Sequence, residues 1–135
     1  MPGARAHATV ALLVYVGAAV SQEVPVDTLA AGAAIAGLAS LAPDLDRPGS
    51  CASRLLWPLT FPLSLLLGWL FGHRGAVHAL ATGGVLTALL FPLVPESFWL
   101  AAVWGWHSHL LLDAGTPRGV ELWPGGPRLR LGVLR

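Results

Sequence analysis

His109 and Asp113 form the first residue pair in this sequence whose types and spacing suggest chemistry. They lie four residues apart in the stretch GWHSHLLLDAGTPRG, residues 105–119. On a helix this spacing places both side chains on one face, one turn apart, where an imidazole and a carboxylate can bind one cation. His107 points nearly the opposite way, so we exclude it as a first-choice ligand.

Two further carboxylates stand close together in the stretch LAPDLDRPGS. Asp44 and Asp46 follow Pro43 in a predicted loop, where both side chains can turn the same way. Two unpaired anions near lipid would repel each other and tend to take up protons, and a divalent cation would relieve that repulsion. Taken singly, an aspartate after a proline is more commonly a turn residue or a helix cap.

The other ionisable groups of interest are His7 near the N-terminus and three residues of the stretch GHRGAVHAL, namely His73, Arg74 and His78. A lone histidine at a helix end is more often an interface residue than a ligand, and Asp113 could form a plain salt bridge with Arg74 or Arg118. The number of such groups in so apolar a chain favours a functional site, because ionisable residues within a membrane are costly.

The composition indicates a membrane protein. The 135 residues are 55% hydrophobic and 11% charged, with a mean hydropathy of +0.67, whereas a soluble domain usually carries about 25% charged residues. The length fits a single domain over residues 1–135. A net charge of +1 gives no reason to expect nucleic acid as a partner. The single cysteine, Cys51, excludes a disulfide within the chain.

Five apolar runs are separated by turn signals rich in proline and glycine. They cover residues 8–20, 24–42, 55–71, 79–94 and 98–112. Apolar residues occupy every face of each run, which favours helices over strands. The second run also carries Ala33 and Gly37 at a spacing that allows close helix contact in lipid. The first run has an alternative interpretation as a cleaved secretory signal peptide.

The placement of arginine predicts the topology. Arginines lie before the first run, on both sides of the third run and after the fifth, whereas the other two connections carry only acids, such as Glu23 and Glu96. The positive-inside rule makes the arginine-bearing segments cytoplasmic, provided that the third run does not cross. Pro58 and Pro62 in that run suit a re-entrant or interfacial segment. We therefore expect an all-α integral membrane bundle with about four crossing helices and one such Pro-containing segment; a five-crossing bundle is the alternative.

This topology brings the ionisable groups to one end of the bundle. The groups that open or close runs at the cytoplasmic end are His7, Asp44, Asp46, His73, Arg74, His78, His109 and Asp113. The first, fourth and fifth runs span roughly 20 to 24 Å, short of a hydrocarbon core of about 30 Å. We therefore expect a metal site near the depth of the cytoplasmic lipid headgroups.

Three motifs, in order, resemble a known family. They are PDLD at residues 43–46, HRGAVHAL at residues 73–80 and HSHLLLDAGTPRGVELWP at residues 107–124. Together they are similar to small bacterial and archaeal inner-membrane proteins described as membrane-bound metal-dependent hydrolases, the DUF457 or YdjM-like group. The usual second motif has Thr-His-Ser where this chain has Val77, His78 and Ala79. The resemblance implies metal-dependent hydrolysis by a multi-pass protein of the inner (plasma) membrane.

A more distant similarity is to the all-helical zinc phospholipase C and P1 nuclease fold. The residues that carry it are, in order, His7, Asp44, His78, His109, Asp113 and Pro117. The similarity implies one zinc ion held by Asp44, His78, His109 and Asp113, with the carboxylate of Asp113 also reaching a second metal near His7. Gly119 stands where that fold has a further histidine, so the residues support one metal or two rather than three.

Together these features predict a metal-dependent hydrolase that acts on a phosphoester or lipid-like substrate, with membrane lipids as partners. The expected cofactor is a divalent cation, zinc in preference to manganese or iron, which would lower the pKa of a bound water. Asp46 is the candidate general base or second-metal ligand, Arg74 would bind an anionic headgroup, and His73 completes the candidate catalytic residues. Two alternatives stay open: a small metal- or proton-linked transporter, and a non-catalytic protein whose polar cluster orders the bundle. The substrate and the oligomeric state cannot be read from the sequence.

Overall fold

The computed structural model describes residues 3–134 of the chain, and this part is mostly helical, as the sequence predicts. Its α-helices are α1 (Ala4–Ser21), α2 (Val26–Ala39), α3 (Cys51–Leu55), α4 (Thr60–Phe71), α5 (Leu80–Leu90) and α6 (Glu96–Ala114). Short 3-10 segments cover Ala42–Asp46, Ala76–His78 and Phe91–Leu93. Two strands, β1 (Val120–Glu121) and β2 (Arg128–Leu129), pair antiparallel.

Helices α1, α2 and α6 pack against one another at the centre of the bundle. Glycine makes this contact close, because a Cβ on Gly105 of α6 would overlap the Ala36 carbonyl oxygen of α2. A Cβ on Gly32 would likewise overlap the hydroxyl of Tyr15 in α1. The second apolar run therefore provides close helix contact, as its small residues predict, but through Gly32 and Ala36 rather than Ala33 and Gly37.

Two segments are long and apolar enough to cross a membrane, judged by length and composition: α1 and the stretch Val26–Asp46, which continues α2 through the first 3-10 segment. Many large apolar side chains are exposed on the helices, as a lipid-facing surface requires. They include Leu13, Val20, Leu38, Leu63, Leu66, Trp69 and Leu89. The count of four crossing helices stays a prediction.

The third apolar run, residues 55–71, contains one short helix, α4, preceded by the last residue of α3 and a turn. A turn that contains Pro58 separates α3 from α4, and the 12 residues of α4 span about 18 Å, short of a hydrocarbon core of about 30 Å. Because α5 is equally short at 11 residues, the re-entrant or interfacial course of the third run stays a prediction. The glycine at residue 68 packs α4 directly on the segment that follows α2, since a Cβ there would lie 2.8 Å from the backbone oxygen of Asp46.

The hairpin of β1 and β2 departs from the all-α expectation. The stretch after α6 is rich in glycine and proline, which disfavour a helix, and Gly119 and Gly125 adopt left-handed φ angles of 66° and 73°. Backbone hydrogen bonds fasten this stretch to the bundle: the amide of Ala81 donates to Leu122 (2.9 Å), and the amide of Leu131 donates to Ala114 (2.8 Å). The hairpin thus joins the start of α5 to the end of α6.

Candidate metal centre

Helix α6 supplies two buried polar groups at its C-terminal end. The Nε2 atom of His109 lies 3.6 Å from Oδ2 of Asp113, one turn further along. Their side chains are 0% and 3% exposed. The i, i+4 spacing therefore places the imidazole and the carboxylate side by side, as the sequence predicts. His107 is not part of this pair, since its Nδ1 donates to the Val103 carbonyl of its own helix (2.9 Å).

The 3-10 segment Ala42–Asp46 brings a second carboxylate to the same place. Pro43 stands in its first turn, where a missing backbone N–H costs nothing. The Oδ1 atom of Asp44 lies 4.0 Å from Nε2 of His109. The chain thus leaves α2 and immediately presents an aspartate to the end of α6.

His78, in the 3-10 segment before α5, completes a group of four ligand atoms. Its Nε2 lies 3.6 Å from Oδ1 of Asp44 and 3.9 Å from Oδ2 of Asp113. With His109, nitrogen and oxygen atoms alternate around the group at separations of 3.6–4.0 Å. Ligands of a tetrahedral zinc ion lie about 3.3 to 3.6 Å apart, as Zn–N and Zn–O distances of about 2.0 to 2.2 Å require. The four neighbouring nitrogen–oxygen separations are therefore slightly longer than those around a bound zinc ion.

The far nitrogen of each imidazole is already fixed. Nδ1 of His109 donates to the Ser40 carbonyl (2.6 Å), and Nδ1 of His78 donates to Oδ2 of Asp46 (2.9 Å). Each Nε2 therefore faces the group, and among the described residues neither Nε2 has a hydrogen-bond partner. A histidine whose second nitrogen bonds a carbonyl or a carboxylate is the usual arrangement of a metal-binding imidazole. The residues therefore fit a divalent cation.

Asp46 is fully buried, and both of its oxygens accept hydrogen bonds. Oδ1 accepts from Nδ1 of His73 (2.9 Å), and Oδ2 accepts from the backbone amide of Arg74 (3.1 Å) as well as from His78. This placement suits a residue that orients the imidazoles better than the expected general base or second-metal ligand, since neither oxygen is free. A catalytic role for Asp46 stays a prediction, and the hydrogen bonds of its two oxygens do not favour that role.

Arg74 points into the cluster rather than out toward headgroups. Its Nη2 lies 2.6 Å from Oδ1 of Asp113, and its Nη1 donates to the hydroxyl of Thr116 (3.3 Å). Its backbone adopts φ of +63°, a conformation that residues other than glycine seldom adopt. The guanidinium fork expected to bind an anionic headgroup is therefore engaged by the protein itself.

His7, at the start of α1, stacks on His109 with 3.7 Å between ring centroids. Its Nε2 lies 3.8 Å from Oδ1 of Asp113. His7 therefore belongs to the cluster, but its contact is with the oxygen that faces Arg74 rather than with the oxygen of the four-atom group. All five residues predicted as metal ligands thus lie in one cluster. Within it, the ligand atoms near enough to share an ion form two groups, one of His7, His109 and Asp113 and one of Asp44, His73 and His78. Metal binding itself stays a prediction.

The cluster opens to its surroundings on one side. The side chains of Asp44 and His73 are 21% and 29% exposed, whereas those of His7, His78, His109 and Asp113 are at most 3% exposed. A small molecule would therefore approach over Asp44 and His73. We call this side the mouth of the site.

The charges around His78 shift its titration. Burial disfavours the imidazolium, but the adjacent carboxylates of Asp44 and Asp46 outweigh burial and raise the pKa of His78 to about 9.

On the hairpin, the Arg128 guanidinium beside Glu121 (2.9 Å) lowers the pKa of that carboxyl group.

Comparisons with known proteins identify the family. The model of the YdjM inner membrane protein family matches residues 1–135. The chain belongs to this family. It is 39% identical over 105 residues to the inner membrane protein YdjM of Escherichia coli (strain K12), and equally to that of Shigella flexneri. These matches cover 72% of the chain and 51% of each relative, so the chain spans about half the length of the curated relatives it matches.

Membership of the YdjM family confirms the predicted location in the inner membrane. The relatives' names give no activity or cofactor. No solved structure matches the chain, so the similarity to the phospholipase C fold gains no support. Reasoning from the sequence missed two residues that shape the site, Ser40 and Thr116. A backbone carbonyl such as that of Ser40 leaves no trace in a sequence. Thr116 follows Asp113 by three residues, a spacing at which its hydroxyl can bond the end of the helix, as it does here.

Proposed function

We propose that this YdjM family member is a membrane-bound metal-dependent hydrolase that acts on a phosphoester or lipid-like substrate at the cytoplasmic headgroup level. The observation that carries the proposal is the group of four ligand atoms from His78, His109, Asp44 and Asp113. Two imidazole nitrogens and two carboxylate oxygens alternate at 3.6–4.0 Å. Buried groups of this kind are costly unless a cation balances them.

The donor set indicates which ion would bind and what it would contribute. Two nitrogens and two oxygens suit zinc, and they also accept manganese or iron. When bound, the cation would polarise a scissile phosphoryl or acyl oxygen and would lower the pKa of a coordinated water. The protein's own contribution is to hold the ligands rigidly, which Ser40 and Asp46 do for the two histidines.

His73 is the residue best placed to move a proton at the mouth. Nδ1 donates to Oδ1 of the buried Asp46 (2.9 Å), which fixes the ring and leaves Nε2 directed away from that bond. The side chain is 29% exposed, so it can contact a substrate. We therefore assign general acid–base catalysis to His73 and orientation of its ring to Asp46.

The surroundings of the site favour a substrate that is at least partly in the membrane. Helix α4 packs on the segment that carries Asp44 and Asp46, and it exposes Leu66 and Trp69. Tryptophan is enriched at membrane interfaces. A lipid-facing helix therefore lies beside the segment that forms the mouth, where an acyl or isoprenoid chain could remain in the bilayer while its polar head reaches the site.

The test is hydrolysis by purified protein in detergent micelles with zinc. We would assay a chromogenic phosphodiester, a chromogenic carboxylic ester and vesicles that contain a phospholipid, and we would compare wild type with His109→Ala and His107→Ala. We expect metal-dependent turnover on a phosphoester in wild type and His107→Ala, and loss of turnover in His109→Ala. Equal turnover in the presence and absence of chelator, or in all three proteins, would contradict the proposal.

A second candidate function, a purely structural metal site, is favoured by the number of protein ligands. Four protein ligands can fill a tetrahedral site, and closed sites of this type are usually structural. Zinc would then raise the thermal unfolding temperature of wild type without any hydrolysis of the three substrates. Turnover that depends on His73, which is not one of the four ligands, would exclude this candidate.

A further inference from the structure

We propose that Arg74 takes the place of a second metal ion, so that the centre holds one divalent cation and its buried charges sum to zero. This inference rests on the proposed metal centre and specifies its composition.

The two oxygens of Asp113 face different partners. Oδ2 lies 3.6 Å from Nε2 of His109 and belongs to the four-atom group, whereas Oδ1 lies 2.6 Å from Nη2 of Arg74. Nε2 of His7 lies 3.8 Å from the same Oδ1. A second cation bridged by Asp113 would need Oδ1 and His7 as ligands. The guanidinium already occupies the position next to that oxygen.

The charges of the cluster also favour one cation. Three carboxylates, those of Asp44, Asp46 and Asp113, and one guanidinium leave two negative charges when the imidazoles are neutral. One divalent cation cancels them. A second would leave two positive charges among side chains that are mostly buried, which is costly in a medium of low dielectric constant.

Arg74 is held so that it cannot easily leave. Its backbone amide donates to Asp46 (3.1 Å), its Nη1 donates to Thr116 (3.3 Å), and the residue is 7% exposed. The hydroxyl of Thr116 in turn donates to the Asp113 carbonyl (2.7 Å). A guanidinium keeps its charge at every accessible pH. Unlike a metal ion, this positive charge cannot dissociate or exchange.

The arrangement gives Arg74 a positioning role. Its guanidinium forms an ion pair with one oxygen of Asp113 (2.6 Å), while the other oxygen lies 3.6 Å from His109 and 3.9 Å from His78. His7 lies near enough to His109 and Asp113 to share an ion with them; under this proposal it stacks on His109 instead. Chemistry at the site would then use a single cation together with His73 at the mouth.

The test is metal stoichiometry, measured by elemental mass spectrometry after the detergent-purified chain is dialysed to equilibrium against saturating zinc. We expect one zinc per chain in wild type, in Arg74→Lys, which keeps the charge, and in the control Arg118→Gln on the exposed surface. We expect two in Arg74→Gln, because Oδ1 of Asp113 and His7 become available. The double variant Arg74→Gln/His7→Ala should return to one.

Two zinc ions in wild type, or one in a folded Arg74→Gln protein, would overturn the inference. If Arg74→Gln does not fold, the zinc content of the single variant His7→Ala tests the inference instead. One zinc per chain in both wild type and His7→Ala supports the inference. Two zinc ions in wild type and one in His7→Ala overturn it. Wild type without zinc would end the proposed metal centre as well, whereas two zinc ions with hydrolysis retained would end only the claim about Arg74.

Discussion

Nδ1 of His78 lies 2.9 Å from Oδ2 of Asp46, and this single hydrogen bond decides which nitrogen of His78 faces the other ligands. A carboxylate only accepts hydrogen bonds when ionised, so Nδ1 carries a proton, and Nε2 is the nitrogen that would bind a cation after losing its own proton. The same carboxylate orients His73 through its other oxygen. Asp46 therefore orients both His78, a member of the four-atom group, and His73, at the mouth of the site.

Replacement of Asp46 should weaken metal binding without removing a ligand. We expect Asp46→Asn to lower zinc affinity about 10- to 100-fold, the usual effect of losing an outer partner of a ligating histidine. Competition with a chromophoric chelator measures this affinity. Asp27→Asn, at the exposed start of α2, is the matched control and should bind zinc as wild type does. Unchanged affinity in Asp46→Asn would show that the His78 ring does not depend on this bond.

His73 should affect turnover and not metal content. Because it lies at the mouth and outside the four-atom group, His73→Gln should keep one zinc per chain while kcat falls about 100- to 10,000-fold, the range expected for loss of a general acid or base. Loss of zinc from His73→Gln would instead make His73 a ligand.

Close contact between α2 and α6 should be needed for the site to form. The glycine at residue 105 lies one turn before His109, and Ala36 lies one turn before Ser40, so their contact brings the His109 ring to the Ser40 carbonyl. We expect Gly105→Ala to destabilise the protein by about 1 to 3 kcal/mol and to lower its zinc affinity, as thermal unfolding and chelator competition would measure.

Gly84→Ala is the control for this prediction, since a Cβ at residue 84 meets nothing within 4 Å. Alanine favours a helix over glycine by about 1 kcal/mol, so this variant should be as stable as wild type or more stable. Equal stability of the two variants would show that the contact at Gly105 is not tight.

The single cysteine offers a native test of orientation. Cys51 is exposed and lies between Arg47 and Arg54, in a connection that the positive-inside rule makes cytoplasmic. A membrane-impermeant maleimide should label it only after spheroplasts are permeabilised. In a Cys51→Ser background, Glu96→Cys should be labelled in intact spheroplasts. Labelling of Cys51 in intact spheroplasts would reverse the predicted topology and place the site on the other side.

Much of the candidate site follows from the sequence, because the chain alternates direction along its apolar runs. His7 opens one run, Asp44 closes the next, and His78 and His109 stand at the matching ends of later runs. Alternation of direction, together with a third run that does not cross, therefore predicts that they meet at one end of the bundle. The spacing of His109 and Asp113 then fixes one of the separations, since both lie on one helix.

The remaining features depend on tertiary contacts that no local pattern encodes. The bond from His109 to Ser40 joins residues 69 positions apart and uses a backbone carbonyl. Asp46 and Asp44 look alike in the sequence, and only packing against α4 and the histidines gives one of them the buried position. Arg74 has a left-handed backbone conformation and points into the cluster, which the stretch HRG does not reveal. The hairpin is missed because its strands have two residues each.

The most direct test of the metal centre is the metal content of detergent-purified wild type beside His109→Ala, Asp113→Ala and His107→Ala. His107 and His109 lie two residues apart on the same helix, but only His109 faces the four-atom group. We expect one zinc per chain in wild type and His107→Ala, and zinc affinity lowered at least about 100-fold in His109→Ala and Asp113→Ala. Equal zinc content and affinity in all four proteins would contradict the account.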